Sequence, residues 1–348
     1  MAFGLDVSNT SIKVFQLEKK SAGYKVLAYT NFPLRKGIMV NDTVIEEKTL
    51  GEQIKAAFNK LTFGKLNTKF VVASIPESKA FVRVIQIPKL EEAKADLAVS
   101  LEAEQYIPIP LDQAYLDWQI LGDSLDGKMD VLVSASSKEY IDIFVRVLKA
   151  AGLRPLGIEV GSAAVARALI PAEAEKKDFL IVDVGAYRTS LIVGSKGFLQ
   201  FTTSVPIAGD AFNQAVARAT GGNDQQSEAA KIQYGLDSKA ANQNVRSALI
   251  PVVDNLVEEI KNILKFHEAH STTSITQVML SGGGVRFPGF NEYLQEKLSD
   301  HHVQIVLGNP WVNVFDSKTA SSPHFTGGEF LGYSAAIGLA LRGAEIEI

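Results

Sequence analysis

The chain has no cysteine, which excludes disulfides, thiolate metal sites and cysteine nucleophiles together and fits a reducing compartment. Histidine is scarce, with five in 348 residues. His267 and His270 are three apart and His301 and His302 adjacent, with no HExxH pattern, so they read as satisfied or exposed side chains rather than metal ligands. Neither sign of charge dominates: 35 Lys and Arg stand against 39 Asp and Glu, a net charge of −4. No dense basic stripe with interleaved aromatics is present, so nucleic acid is not an expected partner. No apolar run approaches the ~18 residues that mark a membrane span. The stretch Leu331 to Leu341 is too short, and Gly and Ser interrupt it, so direct membrane insertion is not expected. No basic flank and apolar run opens the chain, so no secretory signal is read. Neither a Gly-x-Ser-x-Gly elbow nor a P-loop is found.

What is present describes a soluble, folded α/β protein. The apolar fraction of 46% and charged fraction of 21% are globular values, and the length predicts about two domains. Apolar alternation predicts strands near 2–7, 11–18 and 24–32, followed by a helix near 46–61 and a strand at 70–75. Residues 81–151 read strand, helix, strand, strand, helix, with the first helix near 91–105 ending before Pro108 and Pro110. A strand–strand–strand–helix pattern returns from about 179, then a long helix is predicted near 242–270, a strand at 276–281 and a last helix near 330–342.

Three segments carry chemistry. Gly4-Leu5-Asp6-Val7-Ser8-Asn9-Thr10-Ser11-Ile12-Lys13 and Ile181-Val182-Asp183-Val184-Gly185-Ala186-Tyr187-Arg188-Thr189 are alike, each a short strand ending in Asp and turned by small or hydroxyl residues. Such a hairpin aims backbone N–H groups and hydroxyls at a phosphate while its Asp faces a hydrated cation. Its recurrence about 175 residues later predicts two related halves closing on one nucleotide. The third segment, Met279-Leu280-Ser281-Gly282-Gly283-Gly284, lets backbone pass close to a flat ring or ribose. Asp6 or Asp183 alone reads as an ordinary turn acid. Together, with Lys13 reaching the phosphates as a point charge, they predict a site for ATP and Mg²⁺ built from Asp6, Ser8, Asn9, Thr10, Lys13, Asp183, Gly185, Thr189, Gly282, Gly283 and Gly284. Asp6 and Asp183 would grip the metal's waters.

The order and spacing of these motifs resemble those of the actin, Hsp70 and sugar-kinase superfamily. A narrower resemblance lies between the hairpins. Phe81-Val82-Arg83-Val84-Ile85-Gln86-Ile87-Pro88, Glu104-Gln105-Tyr106-Ile107-Pro108-Ile109-Pro110, Asp117-Trp118-Gln119-Ile120-Leu121, Val131-Leu132-Val133-Ser134-Ala135-Ser136 and Ala150-Ala151-Gly152-Leu153-Arg154-Pro155 follow one another. That succession is similar to the PilM family, the actin-like cytoplasmic proteins of type IV pilus assembly and relatives of FtsA. The resemblance implies an actin-like ATPase fold of two ribonuclease-H-like lobes. A first-lobe core, subdomain 1A, would comprise 1–80 with 155–175 and 330–348. An inserted SHS2-type subdomain, 1C, would span 81–153, and a second lobe, 2A and 2B, 176–329.

The resemblance also implies roles. Glu228 and Lys231, on one helix face, would lie beside the ribose and adenine, or else form a solvated ion pair. Gly209 would stand where the superfamily has paired glycines. Glu159, with Asp6 the candidate for catalysis, would position the attacking water, or else serve only as an acid at a helix start. Ser8 replaces a usual glycine and Glu159 a usual aspartate, so any ATP hydrolysis is expected to be slow. The implied partner is the N-terminal cytoplasmic peptide of a PilN-like inner-membrane protein, docked in the first lobe, with self-association as a further mode. The chain would then be cytoplasmic and held at the inner membrane through its partners. A small-molecule kinase of the same superfamily is one alternative and would need an acceptor pocket. An FtsA-like cell-division protein is the other and would need a basic amphipathic tail, whereas this chain ends Arg342-Gly343-Ala344-Glu345-Ile346-Glu347-Ile348.

Overall fold

The computed structural model describes residues 1–21, 23–124, 127–171, 177–195, 198–239, 242–271, 273–315, 325 and 328–346. The end of the acidic tail, Glu347 and Ile348, lies outside them. The chain forms two compact units. Unit 1 holds 1–164, 198–202 and 335–348, and unit 2 holds 165–197 and 203–334.

Unit 1 opens with β1 (Phe3–Val7), β2 (Ser11–Lys19) and β3 (Tyr24–Pro33). The pairs β1–β2 and β2–β3 are antiparallel because short turns join them. The two-residue strands β4 (Met39–Val40) and β5 (Thr43–Val44) form a small hairpin, and α1 (Glu47–Phe58) buries Leu50, Ile54 and Ala57. Then come β6 (Phe63–Gly64) and β7 (Phe70–Ile75). The next four elements are β8 (Ala80–Pro88), α2 (Glu92–Ala103), β9 (Ala114–Asp123) and β10 (Lys128–Ser137). They share a core of Ile85, Ile87, Val99, Met129, Val131 and Val133. Helix α2 inverts the usual division of size: Ala95, Val99 and Ala103 face inward, while Leu97 and Leu101 are exposed. α3 (Lys138–Ala150) packs on α1, and β11 (Arg154–Val160) returns to the first sheet. That sheet runs β11-β7-β1-β2-β3-β6, with β1, β7 and β11 parallel. α4 (Gly161–Leu169) follows β11.

Unit 2 contains β12 (Asp178–Val184), β13 (Thr189–Ser195) and β14 (Phe198–Val205), the last of which shares residues with unit 1. After them come α5 (Gly209–Thr220), α6 (Asp224–Tyr234), α7 (Gln243–His270), β15 (Ile275–Ser281), α8 (Phe290–Lys297) and β16 (Gln304–Leu307). Its strands are ordered β16-β15-β12-β13-β14. The chain ends in α9 (Ser334–Glu345), preceded by a 3-10 turn over Glu329–Tyr333.

α9 belongs to unit 1 from residue 335 onward. It lies on the face of the first sheet that carries Gly4: a Cβ there would sit 2.4 Å from the Ala336 carbonyl oxygen. The alternation of side chains along a strand puts Asp6 on the same face as Gly4. The far end of α9 is tied down twice, by the Ala2 N–H donating to the Gly343 carbonyl at 2.9 Å and by the Tyr24 hydroxyl donating to Glu345 at 3.1 Å. Burial, and then the Glu345 carboxylate, push the Tyr24 pKa up to about 12, so the phenol stays protonated and remains a donor. No helix among the described residues is long and apolar enough to cross a membrane.

Candidate functional site

In unit 1 the hairpin residues fall into a row. Asp6 on β1 is in register with Lys13 on β2, and Glu159 on β11 with Ser74 on β7. Leu5 pairs with Ala73, which sets Asp6 beside Ser74. Residues level with one another on adjacent strands point to the same face, so Glu159, Ser74, Asp6 and Lys13 line up across four strands. The contacts agree with this register. The Ser74 hydroxyl donates to Asp6 Oδ1 at 2.8 Å, and Lys13 Nζ lies 3.4 Å from Asp6 Oδ2. At the end of the row, Arg342 from α9 donates through Nη1 to Glu159 Oε2. Ser74 and Arg342 lie outside the residues read from the sequence. A lone Ser inside a strand and an Arg near the chain end carry no motif, and only register brings them in.

The turn after β1 is closed by its own side chains. The Ser8 N–H donates to the Ser11 carbonyl at 2.9 Å, and the Ser8 hydroxyl oxygen accepts from the backbone N–H groups of Ser11 and Thr10 at 3.2 and 3.4 Å. Ser8 does not adopt positive φ; among the described non-glycine residues only Asn41, Asp42 and His302 do. Serine therefore builds this turn by side-chain hydrogen bonding, where glycine would use conformational freedom. Asn9 reaches across to the β4–β5 turn, donating from Nδ2 to Asp42 Oδ1 at 2.6 Å and accepting from the Asp42 N–H at 3.0 Å. Ser78 donates to the other Asp42 oxygen at 2.6 Å. Asn9 thus fixes a neighbouring loop. Thr10 accepts from the Leu34 N–H through its carbonyl at 2.8 Å.

In unit 2 three predicted segments converge on Gly185. Asp183 is in register with Ser190 on one side and Ser281 on the other. The Gly185 N–H closes the hairpin on the Arg188 carbonyl at 3.0 Å, and the Gly185 carbonyl accepts from the Gly209 N–H at 3.1 Å. A Cβ at Gly284 would sit 2.5 Å from Val184 Cγ1 and 3.1 Å from the Gly185 oxygen. At Gly282, where φ is +87°, it would sit 2.2 Å from the Val184 oxygen. At Gly283 it would meet nothing within 4 Å, so the backbone there borders open space. Thr189 is buried, its hydroxyl committed to the Ile207 carbonyl.

Lys231 is buried on α6, with Nζ 2.7 Å from Glu228 Oε2, and Asn213 donates to the same carboxylate oxygen at 2.6 Å. A buried ammonium needs such a counter-charge, so this pair is more than a solvated surface contact. α6 is started by a capping box between Asn223 and Gln226. Asn223→Ala should cost about 1 kcal/mol, read as a drop of a few degrees in the melting midpoint. His267, read as a satisfied core residue, is buried with Nε2 2.8 Å from Asp178 Oδ2.

A groove lies elsewhere in unit 1, between α3 and the start of β11. It has a volume of about 560 Å³ and is lined by Val145, Lys149, Leu153, Arg154, Pro155, Leu156, Gly157 and Ile158. β11 is an edge strand, with β7 as its partner. Its register with β7 slips between Pro155 and Gly157, a bulge that turns Leu156 outward, where it is 39% exposed.

The sequence profile of a family described as type IV pilus assembly protein PilM matches residues 4–344. A solved PilM–PilN type IV pilus biogenesis complex contains a chain similar to this one at 27% identity and a TM-score of 0.84, with 99% of each chain covered. The structure of MreB 5 of Spiroplasma citri bound to AMPPNP matches at 11% identity and a TM-score of 0.55, over 97% of this chain and 94% of that one. This likeness is one of fold. The cell division protein FtsA of Pseudomonas aeruginosa is 22% identical over 99% of this chain and 89% of its own length.

Proposed function

Because the chain belongs to the PilM family of type IV pilus assembly proteins, we propose that it binds Mg-ATP and receives a short N-terminal cytoplasmic segment of a PilN-like inner-membrane protein. It is an actin-like component of pilus assembly. The observation that carries the partner reading is the α3–β11 groove. An edge strand offers unpaired N–H and C=O groups to an incoming extended chain, and an adjacent apolar groove gives pockets for its alternate side chains. Both features occur together here, and the solved complex of a 27% identical relative is titled for PilM and PilN. Lys149 and Arg154 place positive charge on the rim, which favours a segment with a carboxylate beside its apolar residues. Such docking would hold a protein without a membrane-spanning helix among its described residues at the inner membrane.

The nucleotide reading rests on the hairpins. Asp6 is a carboxylate already set beside a cation, Lys13, at 3.4 Å. Lys13 is placed to turn from that acid to a phosphate, leaving Asp6 for the waters of a magnesium ion, which keeps most of its hydration. The open space beside Gly283 fits the flat face of a base or a ribose. Asp183, Gly185, Gly209, Glu228 and Lys231 supply the remaining contacts in this reading. Hydrolysis is slow, since Glu159 is engaged by Arg342.

Leu156→Asp tests the partner site. The side chain is exposed, so the fold should survive, but a charge would replace the apolar anchor. Fluorescence anisotropy with a labelled PilN-like N-terminal peptide should show affinity weakened at least about tenfold, the range of a modest interface hot spot, with Mg-ATP binding unchanged. Equal peptide affinity would place the partner elsewhere.

A further inference from the structure

We infer that Arg342 is a positioning residue that restrains Glu159 and so holds nucleotide turnover down, coupling hydrolysis to the last turn of α9. This inference rests on the nucleotide reading above and adds a control to it. Glu159 has a side chain only 9% exposed, whereas its partner Arg342 is 37% exposed. The acid is held inside, and the guanidinium reaches it from the last turn of α9, a helix buried along most of its length. Arg342 also lies over Gly157, its guanidinium 3.6 Å from where a Cβ would stand. The turn of α9 that carries it is pinned at Gly343 and Glu345 by Ala2 and Tyr24. Arg342 is thus anchored to a helix end tied to Ala2, just before β1, and to Tyr24 at the start of β3.

The chemistry gives the contact its consequence. In ATP hydrolysis a water oxygen bonds to the γ-phosphorus. The bond to the β–γ bridging oxygen breaks, and its electron pair leaves with ADP. The water's proton passes to a carboxylate oxygen. A general base must reach that water with an oxygen lone pair, and a guanidinium donating to the carboxylate competes for it and stabilises its charge. Ser74, which stands between Glu159 and Asp6 in the row, performs the opposite service. It donates a neutral hydrogen bond to Asp6 Oδ1 at 2.8 Å and orients that carboxylate without adding a charge.

The test compares Arg342→Gln, Arg342→Lys, Glu159→Gln and the double variant Glu159→Gln/Arg342→Gln with the unaltered chain. Arg342→Gln should raise kcat for ATP about tenfold, a fraction of what a positioned general base contributes, with KM and the calorimetric Kd changed less than twofold. Arg342→Lys should stay near the unaltered rate because it keeps the charge, and the double variant should lose the gain. A second readout needs no nucleotide. In melting experiments Arg342→Gln and Glu159→Gln should each lower Tm, and the double variant should lie no lower than the worse of these two, as expected for one shared contact. An unchanged or lower kcat in Arg342→Gln, with Mg-ATP still bound, would overturn this inference alone. So would additive Tm losses. Absence of Mg-ATP binding in every protein would overturn the nucleotide reading as well.

Discussion

Titration of Mg-ATP into Asp183→Ala should show at least a tenfold loss of affinity against the unaltered chain. Asp183 is the second-to-last residue of β12, in register with Ser190 and Ser281, at the mouth of a hairpin whose turn is fixed by Gly185 and Arg188. The turn itself is closed by the backbone hydrogen bond from the Gly185 N–H to the Arg188 carbonyl. What is lost is the negative charge proposed to hold the waters of the magnesium ion. Hydrogen bonds to a charged group are worth about 1.5–3 kcal/mol each, and ~1.4 kcal/mol is a factor of ten in Kd. Loss of a single such bond therefore already reaches the stated threshold. Lys13→Ala should weaken binding in the same direction, and it also removes the partner of Asp6. Calorimetry giving equal affinities for Asp183→Ala and the unaltered protein would remove this hairpin from the nucleotide site.

The largest effect on stability is expected at Gly338. A Cβ there would stand 1.8 Å from the Ala164 carbonyl oxygen and 2.5 Å from its carbon. Both are backbone atoms of α4, so no rotamer change relieves the clash and α9 must lift away. Lifting it uncovers Ile337, Leu339, Ala340 and Leu341, all buried, and breaks up the cluster that Leu339 forms with Ala2, Val72 and Ala164. Overpacking alone costs about 1–3 kcal/mol, and this case adds loss of apolar burial along the helix. Gly338→Ala should therefore destabilise the protein by about 3 kcal/mol or more by urea denaturation. Gly332→Ala, where a Cβ meets nothing within 4 Å, should stay within about 1 kcal/mol. Similar midpoints for the two variants would mean that α9 does not pack on α4 as described.

The α/β architecture was legible in the sequence because it follows from local rules. Alternation at Phe3, Leu5 and Val7 marks β1, and the spacing of Leu249, Val253, Leu256, Ile260 and Leu264 marks α7. The strand–turn–strand hairpins around Asp6 and Asp183 were legible for the same reason, since a turn's chemistry is written in the residues that make it. The apolar period also prevailed over a breaker in α7, as the predicted helix near 242–270 requires. Pro251 lies inside α7, although a helix interior pays about 3 kcal/mol or more for proline. Burial of Leu249, Val253, Leu256, Val257, Ile260 and Leu264 outweighs that cost. α2 buries alanine and valine and exposes Leu97 and Leu101, a division of its faces that its sequence pattern alone does not give.

By itself, then, the sequence determined the element types, the two similar hairpins, the glycine run and the family to which the chain belongs. The element types, each hairpin and the glycine run depend on residues within a few positions of one another, and the family on the order of such segments along the chain. Only the tertiary structure decided that Ser74 orients Asp6, that Asn9 is spent on Asp42, and that Arg342 closes on Glu159, 183 positions away. Those contacts depend on strand register and on the return of the last helix to the first sheet. Both are set by which surfaces can be buried together, a property of the whole chain that no local segment carries.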